Sequence, residues 1–137
     1  MRTTRLPSGR SPQTAYSKIA TGLRAVELAR SRCAALPNVT IARCAFPAET
    51  PNGAFDLVML SEVVYYWDDA DIKRAAAAIR ASATPDCRIM LVHWTGDTDY
   101  PQTGDAAVTK LRDRLGDLAV ERAERTDAYR LDLWSLR

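Results

Sequence analysis

The chain has 137 residues, 47% of them hydrophobic and 26% charged, and a net charge of +2. That is enough for one globular domain, which at this length buries roughly two-thirds of its extended-chain surface. So balanced a charge argues against a nucleic-acid partner, which would need a clustered basic face, and no apolar run approaches the roughly 18 residues of a membrane span.

From Met1 to Val26 there is no acidic residue, while Arg2, Arg5, Arg10, Lys18 and Arg24 are basic. An acid-free start with Arg and Ser is similar to an organelle transit peptide. Pro7, Ser8, Gly9, Ser11 and Pro12 equally suit a solvated leader, since they break any regular element. Residues 1–15 are expected to be a disordered leader and 16–137 the folded domain. Tyr16–Ala20 reads as a short strand. Thr21–Leu36 reads as a helix with Leu23, Val26, Ala29 and Cys33 on one face, ended by Pro37 and Asn38. Val39–Cys44 is a β-branched strand, and 47–53 is a loop with an Asn-Gly turn signal.

Phe55–Leu60 is nearly continuous apolar sequence, the mark of a strand covered on both faces as in a parallel sheet. After a junction at Ser61–Asp69, alanine-rich Asp71–Ser82 favours helix, with Asp68 and Asp69 near its positive end. Thr84-Pro85-Asp86 is a turn and Arg88–Val92 a buried strand, with His93 and Trp94 at its end. A polar loop carrying Tyr100 leads to an amphipathic helix at Asp105–Leu115, where Ala107, Val108, Leu111 and Leu115 face inward and Gly116 caps the end. Leu118–Arg122 and Ala128–Leu136 form a closing hairpin. Tyr129, Leu131, Leu133 and Leu136 are its expected inner face, with an irregularity near Trp134. This order predicts an α/β sheet that ends in an antiparallel hairpin.

Cys33, Cys44 and Cys87 are widely spaced without a CxxC pair, and His93 is the only histidine. A structural zinc site would need more ligands, so no metal is expected. Reduced cysteines suit a cytoplasmic protein; a cysteine nucleophile paired with His93 is the sharper alternative.

The run FDLVMLSEVVYYWDD at Phe55–Asp69 resembles the fourth-strand motif of class I S-adenosylmethionine-dependent methyltransferases. LVHWTG at Leu91–Gly96, DYPQTGD at Asp99–Asp105 and YRLDLW at Tyr129–Trp134 narrow the resemblance to the nodulation protein S-like branch. The resemblance implies a doubly wound Rossmann-like sheet with a reversed last strand, S-adenosylmethionine as cofactor, and methyl transfer to a small-molecule acceptor, an amine of a saccharide in the namesake branch. Its glycine-rich loop after the first strand has no counterpart here, so the first strand is expected to be missing. The acidic residue that ends the second strand is replaced by Ala20. Ala45 and Phe46 fall where the adenine amine is bound, and Phe46 could pack on the purine.

Ser61, Glu62 and Tyr66 complete the implied cofactor contacts, and Tyr65, Trp94 and Tyr100 the acceptor wall. His93 is the expected general base for an amine acceptor, because its unperturbed pKa lies near neutrality; Glu62 would orient a ligand hydroxyl or amine. The structural alternatives are a histidine that only bonds a loop, tyrosines that are plain core, and a Glu62 that caps a helix start. Without the first strand, Tyr16–Ala20 and Val39–Cys44 would lose the neighbour that joins them to Phe55–Leu60. Weak stability, a rearranged sheet or self-association through unpaired strands is then expected. Whether the chain is an active enzyme or a non-catalytic remnant or interaction protein of the same fold stays open on sequence.

Overall fold

The computed structural model describes residues 22–137 in full, and of residues 1–21 the strand backbones of Arg2–Arg5 and Ala15–Ala20. In chain order the elements are β1 (Arg2–Arg5), β2 (Ala15–Ala20), α1 (Leu23–Cys33), β3 (Val39–Arg43), β4 (Phe55–Ser61), a 3-10 turn (Val64–Tyr66), α2 (Asp69–Ser82), β5 (Ala83–Trp94), α3 (Gly104–Leu115), β6 (Leu118–Arg125) and β7 (Tyr129–Leu136). The strands form one seven-stranded sheet in the order β3-β2-β1-β4-β5-β7-β6. β2 and β3 are parallel, as are β4 and β5, and β7 runs antiparallel to β5 and to β6. The doubly wound core with a terminal hairpin is therefore present.

Of the three outcomes expected from a missing first strand, the structure shows a rearranged sheet. The slot between β2 and β4 holds β1, which runs antiparallel to both neighbours. A hydrogen-bond ladder can close in either direction, so four residues suffice to join the two parallel pairs. Part of the expected leader is thus strand. Residues 6–14 of that leader lie outside the described residues.

Helix boundaries follow capping chemistry. Asp68 Oδ1 accepts from Asp71 N at 2.7 Å and starts α2, while Thr103 Oγ1 accepts from Ala106 N at 3.1 Å and starts α3. Gly116, with φ 74°, ends α3 in a conformation that favours glycine. Arg80 fastens the far end: Nε and Nη2 donate to Leu115 O at 2.8 and 2.6 Å, and Nη1 to Arg137 O at 2.9 Å.

α2 and α3 pack together over one face of β4, β5 and β7, and the main core lies between. Ile72, Ala75, Ala76 and Ile79 of α2 meet Val58, Leu60, Ile89, Leu91 and Trp134 of the sheet. The expected inner face of α3 is observed in full. That of β7 needs correction: Asp132, Trp134 and Leu136 are buried, whereas Leu131 and Leu133 are half-buried and Tyr129 is exposed. The bulky Trp134 indole claims the helix-covered side, and strand alternation puts Leu131 and Leu133 on the other. The irregularity near Trp134 is real but sits opposite, as a bulge between Val120 and Arg122 of β6. In α1, Val26 and Ala29 are buried as expected, but Leu23 is 59% exposed and Cys33 half-buried. α1 packs on β2 and β3 alone among the element pairs in substantial contact, so only half of its stripe is covered.

Candidate functional site at the carboxyl edge of the sheet

β2, β3, β4 and β5 point the same way, so their carboxyl ends share one edge, where open α/β sheets bind ligands. Glu62 leaves β4 with φ 54°, a left-handed conformation that strains a residue with a side chain. Three hydrogen bonds hold it there. Its N donates to Val92 O at 2.9 Å, Oε1 accepts from Trp94 N at 2.8 Å, and Oε2 accepts from the Tyr65 hydroxyl. Glu62 therefore braces the ends of β4 and β5 against each other, a different task from helix capping. Its carboxylate stays at the surface, free to take a further donor.

Tyr65 is buried and stacks on Tyr100, with centroids 4.4 Å apart and planes 10° from parallel. Tyr66 meets Tyr100 edge-on at 4.5 Å and is 52% exposed. Burial, and then the Glu62 carboxylate, push the Tyr65 phenol well above its ordinary range, so it remains a donor at any working pH. Phe46, in the segment that follows β3, tilts against buried Trp67 at 5.6 Å. Gln102 Nε2 donates to Trp67 O at 2.6 Å and ties the loop after β5 to this wall. Ala45 N donates to Glu49 Oε2 at 2.9 Å.

His93 has the setting of the structural alternative, a histidine that bonds a loop. The imidazole is fully buried on the helix side, and its Nε2 accepts from Val64 N at 3.1 Å and Val63 N at 3.4 Å. A nitrogen so engaged has no lone pair for a substrate proton, and burial drives its pKa down to about 4. His93 instead shapes the site by holding the 3-10 turn that carries Tyr65 and Tyr66. Its ring also meets Tyr65 edge-on at 5.3 Å.

The structure thus brings Glu62, Tyr65, Tyr66 and Tyr100 together, with Phe46 joined to them through Trp67, while Ser61 is the exposed last residue of β4 and strand alternation turns it to the face opposite Leu60. Trp94 is set apart. Strand alternation turns it to the opposite face from His93, where it lies over Gly96 and is 46% exposed. Sequence reasoning missed the part played by Gln102, although it lies within the DYPQTGD run, and by Glu49, which sits in a loop without a motif to flag it. It also missed a salt-bridge network beneath the site. Arg130 Nε and Nη2 grip buried Asp132 at 2.8 and 2.9 Å, and Nη1 reaches Asp105 at 2.8 Å.

Gly104 lets α3 start against the end of β5. A Cβ there would lie 2.8 Å from Trp94 O and 3.4 Å from His93 Cβ. Gly104→Ala is expected to destabilise the fold by about 1–2 kcal/mol through this clash. Urea unfolding would check it, and an unchanged midpoint would mean that α3 can shift freely.

No protein-family model matches the chain, and no curated protein matches it in sequence. Among solved structures, it is 32% identical to a protein from Pseudomonas syringae assigned to the methyltransferases, covering 87% of this chain and 71% of that one at a TM-score of 0.75. It is 16% identical to N-methyltransferase NodS from Bradyrhizobium japonicum WM9 in complex with S-adenosyl-l-homocysteine, covering 88% and 65% at a TM-score of 0.73. The mitomycin 7-O-methyltransferase MmcR is 19% identical, with 88% and 41% covered at a TM-score of 0.68. Sheet order, reversed last strand and carboxyl-edge site define a methyltransferase-type α/β fold. This chain belongs to the class I S-adenosylmethionine-dependent methyltransferase family.

The family's cofactor finds only part of its usual setting among the described residues. Phe46 and the tyrosines line this edge with aromatic rings. On the other side, β1 is reversed, so it presents its first residue, Arg2, near the edge where a parallel strand would end in a loop. Among the described residues no glycine loop enters a helix there, and Ala20 closes β2 without a carboxylate. The described residues do not form the family's cradle for the ribose and the methionyl end.

Proposed function

We propose that this chain serves S-adenosylmethionine-dependent methyl transfer to a small-molecule acceptor. The observation that carries the reading is the convergence of Glu62, Tyr66 and Tyr100 at the carboxyl edge of a chain with a 32% identical methyltransferase-family relative. Methyl transfer asks a protein mainly to align reactants and exclude water. Buried Tyr65 stacked under Tyr100 gives a rigid floor, half-exposed Tyr66 gives a face for a ligand, and Glu62 gives a fixed acceptor for a hydroxyl or amine hydrogen. An amine of a saccharide is the acceptor class that the nodulation protein S-like pieces suggest. An oxygen acceptor is the alternative on the same fold, as the name of MmcR illustrates. We place the protein in the cytoplasm on the strength of its three free cysteines. No helix among the described residues is long and apolar enough to cross a membrane.

A second reading, a non-catalytic member of the fold, is favoured by the reversed β1 and by Ala20. Calorimetric titration of the full chain with S-adenosylhomocysteine separates the two. The first reading expects saturable binding, weakened about ten-fold or more by Phe46→Ala if an adenine–aromatic contact of about 1.4 kcal/mol is lost. Absence of binding by a cooperatively unfolding chain would leave the second reading standing.

A further inference from the structure

Charge is divided unevenly along the strand order. Of the chain's 19 basic and 17 acidic residues, Met1–Cys33, which supplies β1, β2 and α1, holds seven basic and only one acidic, Glu27. The remaining residues hold twelve basic and sixteen acidic. Because β3, β2 and β1 stand side by side at one end of the sheet, the excess positive charge lies on that side and the acidic excess on the other.

α1 presents part of this charge to solvent in a regular pattern. Residues four apart on a helix lie one above the other, so Arg24, Leu28 and Arg32 form a single row, turned away from buried Val26 and Ala29. The whole row is exposed. Leu28 is 51% exposed, and Leu23 at the start of the helix and Leu36 just past its end are similarly open. Among the described residues no carboxylate pairs with Arg24 or Arg32.

We propose that this outer row of α1 docks on an anionic lipid bilayer, lying in its headgroup layer. The residue types choose the bilayer over other anionic partners. A protein partner would need an anchor sunk in a packed pocket, whereas the row is a convex helix surface whose leucine is flanked by arginines. A nucleic acid would neutralise the arginines but leave the leucines wet, and α1 carries no aromatic, Asn or Gln side chain to meet a base. A bilayer satisfies both. Guanidinium groups meet the acidic headgroups while their stems and the leucines reach the acyl boundary. The acidic side of the molecule, with α2 and α3, is repelled by the same surface, which fixes the orientation of docking.

The contact is weak and salt-sensitive, each arginine strengthening partition about five-fold. Flotation of the full chain with vesicles of phosphatidylcholine containing about 30% phosphatidylserine, at about 0.1 M salt, tests it. The chain should float with these vesicles, stay behind with phosphatidylcholine alone, and be released at about 0.5 M salt. Arg24→Ala combined with Arg32→Ala should weaken partition on the order of twenty-fold. Leu28→Ser, which leaves the charge unchanged, should weaken it about five-fold or more. All three positions are exposed, so the denaturant midpoint should stay put and report that each variant is folded. Failure of the wild-type chain to float with the anionic vesicles would overturn the proposal. So would flotation indifferent to Leu28→Ser, or tighter binding to a duplex oligonucleotide than to the vesicles at the same salt, since either marks a positive patch that attracts any polyanion.

Discussion

Acidification from pH 7 to about pH 4 is expected to lower the stability of this protein by about 3 kcal/mol through His93 alone. The imidazole pKa falls from its ordinary 6.5 to about 4 in the fold, chiefly because burial disfavours the cation; Arg130 pushes the same way, while Glu62 and Asp132 oppose it. Between those two values the unfolded chain holds a proton that the folded chain does not. Unfolding then takes up a proton, so stability is complete above about pH 6.5 and declines as pH falls, by about 1.4 kcal/mol per pKa unit. Asp69 and Asp105, whose pKa values are lowered by Lys110 and by Arg125, add their own loss only below about pH 4. The window from pH 6.5 to 4.5 therefore isolates the histidine. His93→Gln keeps an oxygen acceptor for the Val63 and Val64 amides and removes the titration, so its denaturant midpoint should be nearly flat across that window. A wild-type midpoint that is also flat there would show that the imidazole is not buried as described.

Asp132→Ala is expected to destabilise the fold by about 3 kcal/mol. The carboxylate is 5% exposed and takes both a bidentate grip from Arg130 and the company of the core. Removing it strands a largely buried guanidinium, with only the more exposed Asp105 left as partner. Arg130→Met with Asp132→Leu should recover most of that loss, since the pair itself contributes little against well-packed apolar residues. Chemical unfolding of the two single variants and the double variant would check this. A double variant as unstable as Asp132→Ala would mean that Asp132 acts through something other than Arg130.

The middle of the molecule was legible because its signals are local. Phe55–Leu60 reads as a buried strand from its nearly continuous apolar run, Asp71–Ser82 as a helix with Asp68 and Asp69 near its positive end, and Leu111 and Leu115 as part of a core stripe. What eluded the sequence depends on partners far along the chain. Nothing in Arg2–Arg5 marks it as a strand; it becomes one because β2 and β4 leave a slot with hydrogen bonds to fill. Likewise Leu131 and Leu133 alternate as well as Asp132 and Trp134 do, and only the presence of α2 and α3 on one side decides which pair goes in. The setting of His93 was hidden for a related reason. Its position at a strand end was right, but strand parity turns it under the helices, where it serves two backbone amides.

The reversed β1 also sets a timetable for synthesis. As the chain leaves the ribosome, Arg2–Arg5 can meet Ala15–Ala20 early, because few residues separate them and closing a short loop forfeits little entropy. Its other neighbour, β4, does not yet exist. Until Phe55–Met59 emerges, the first four elements form a small, open-edged raft with little core of its own. The latter half, from β4 to β7, builds its core from residues close to one another in the chain and can settle without them. The raft docks along a single four-residue strand, so it is the part of the nascent protein most dependent on the company of chaperones.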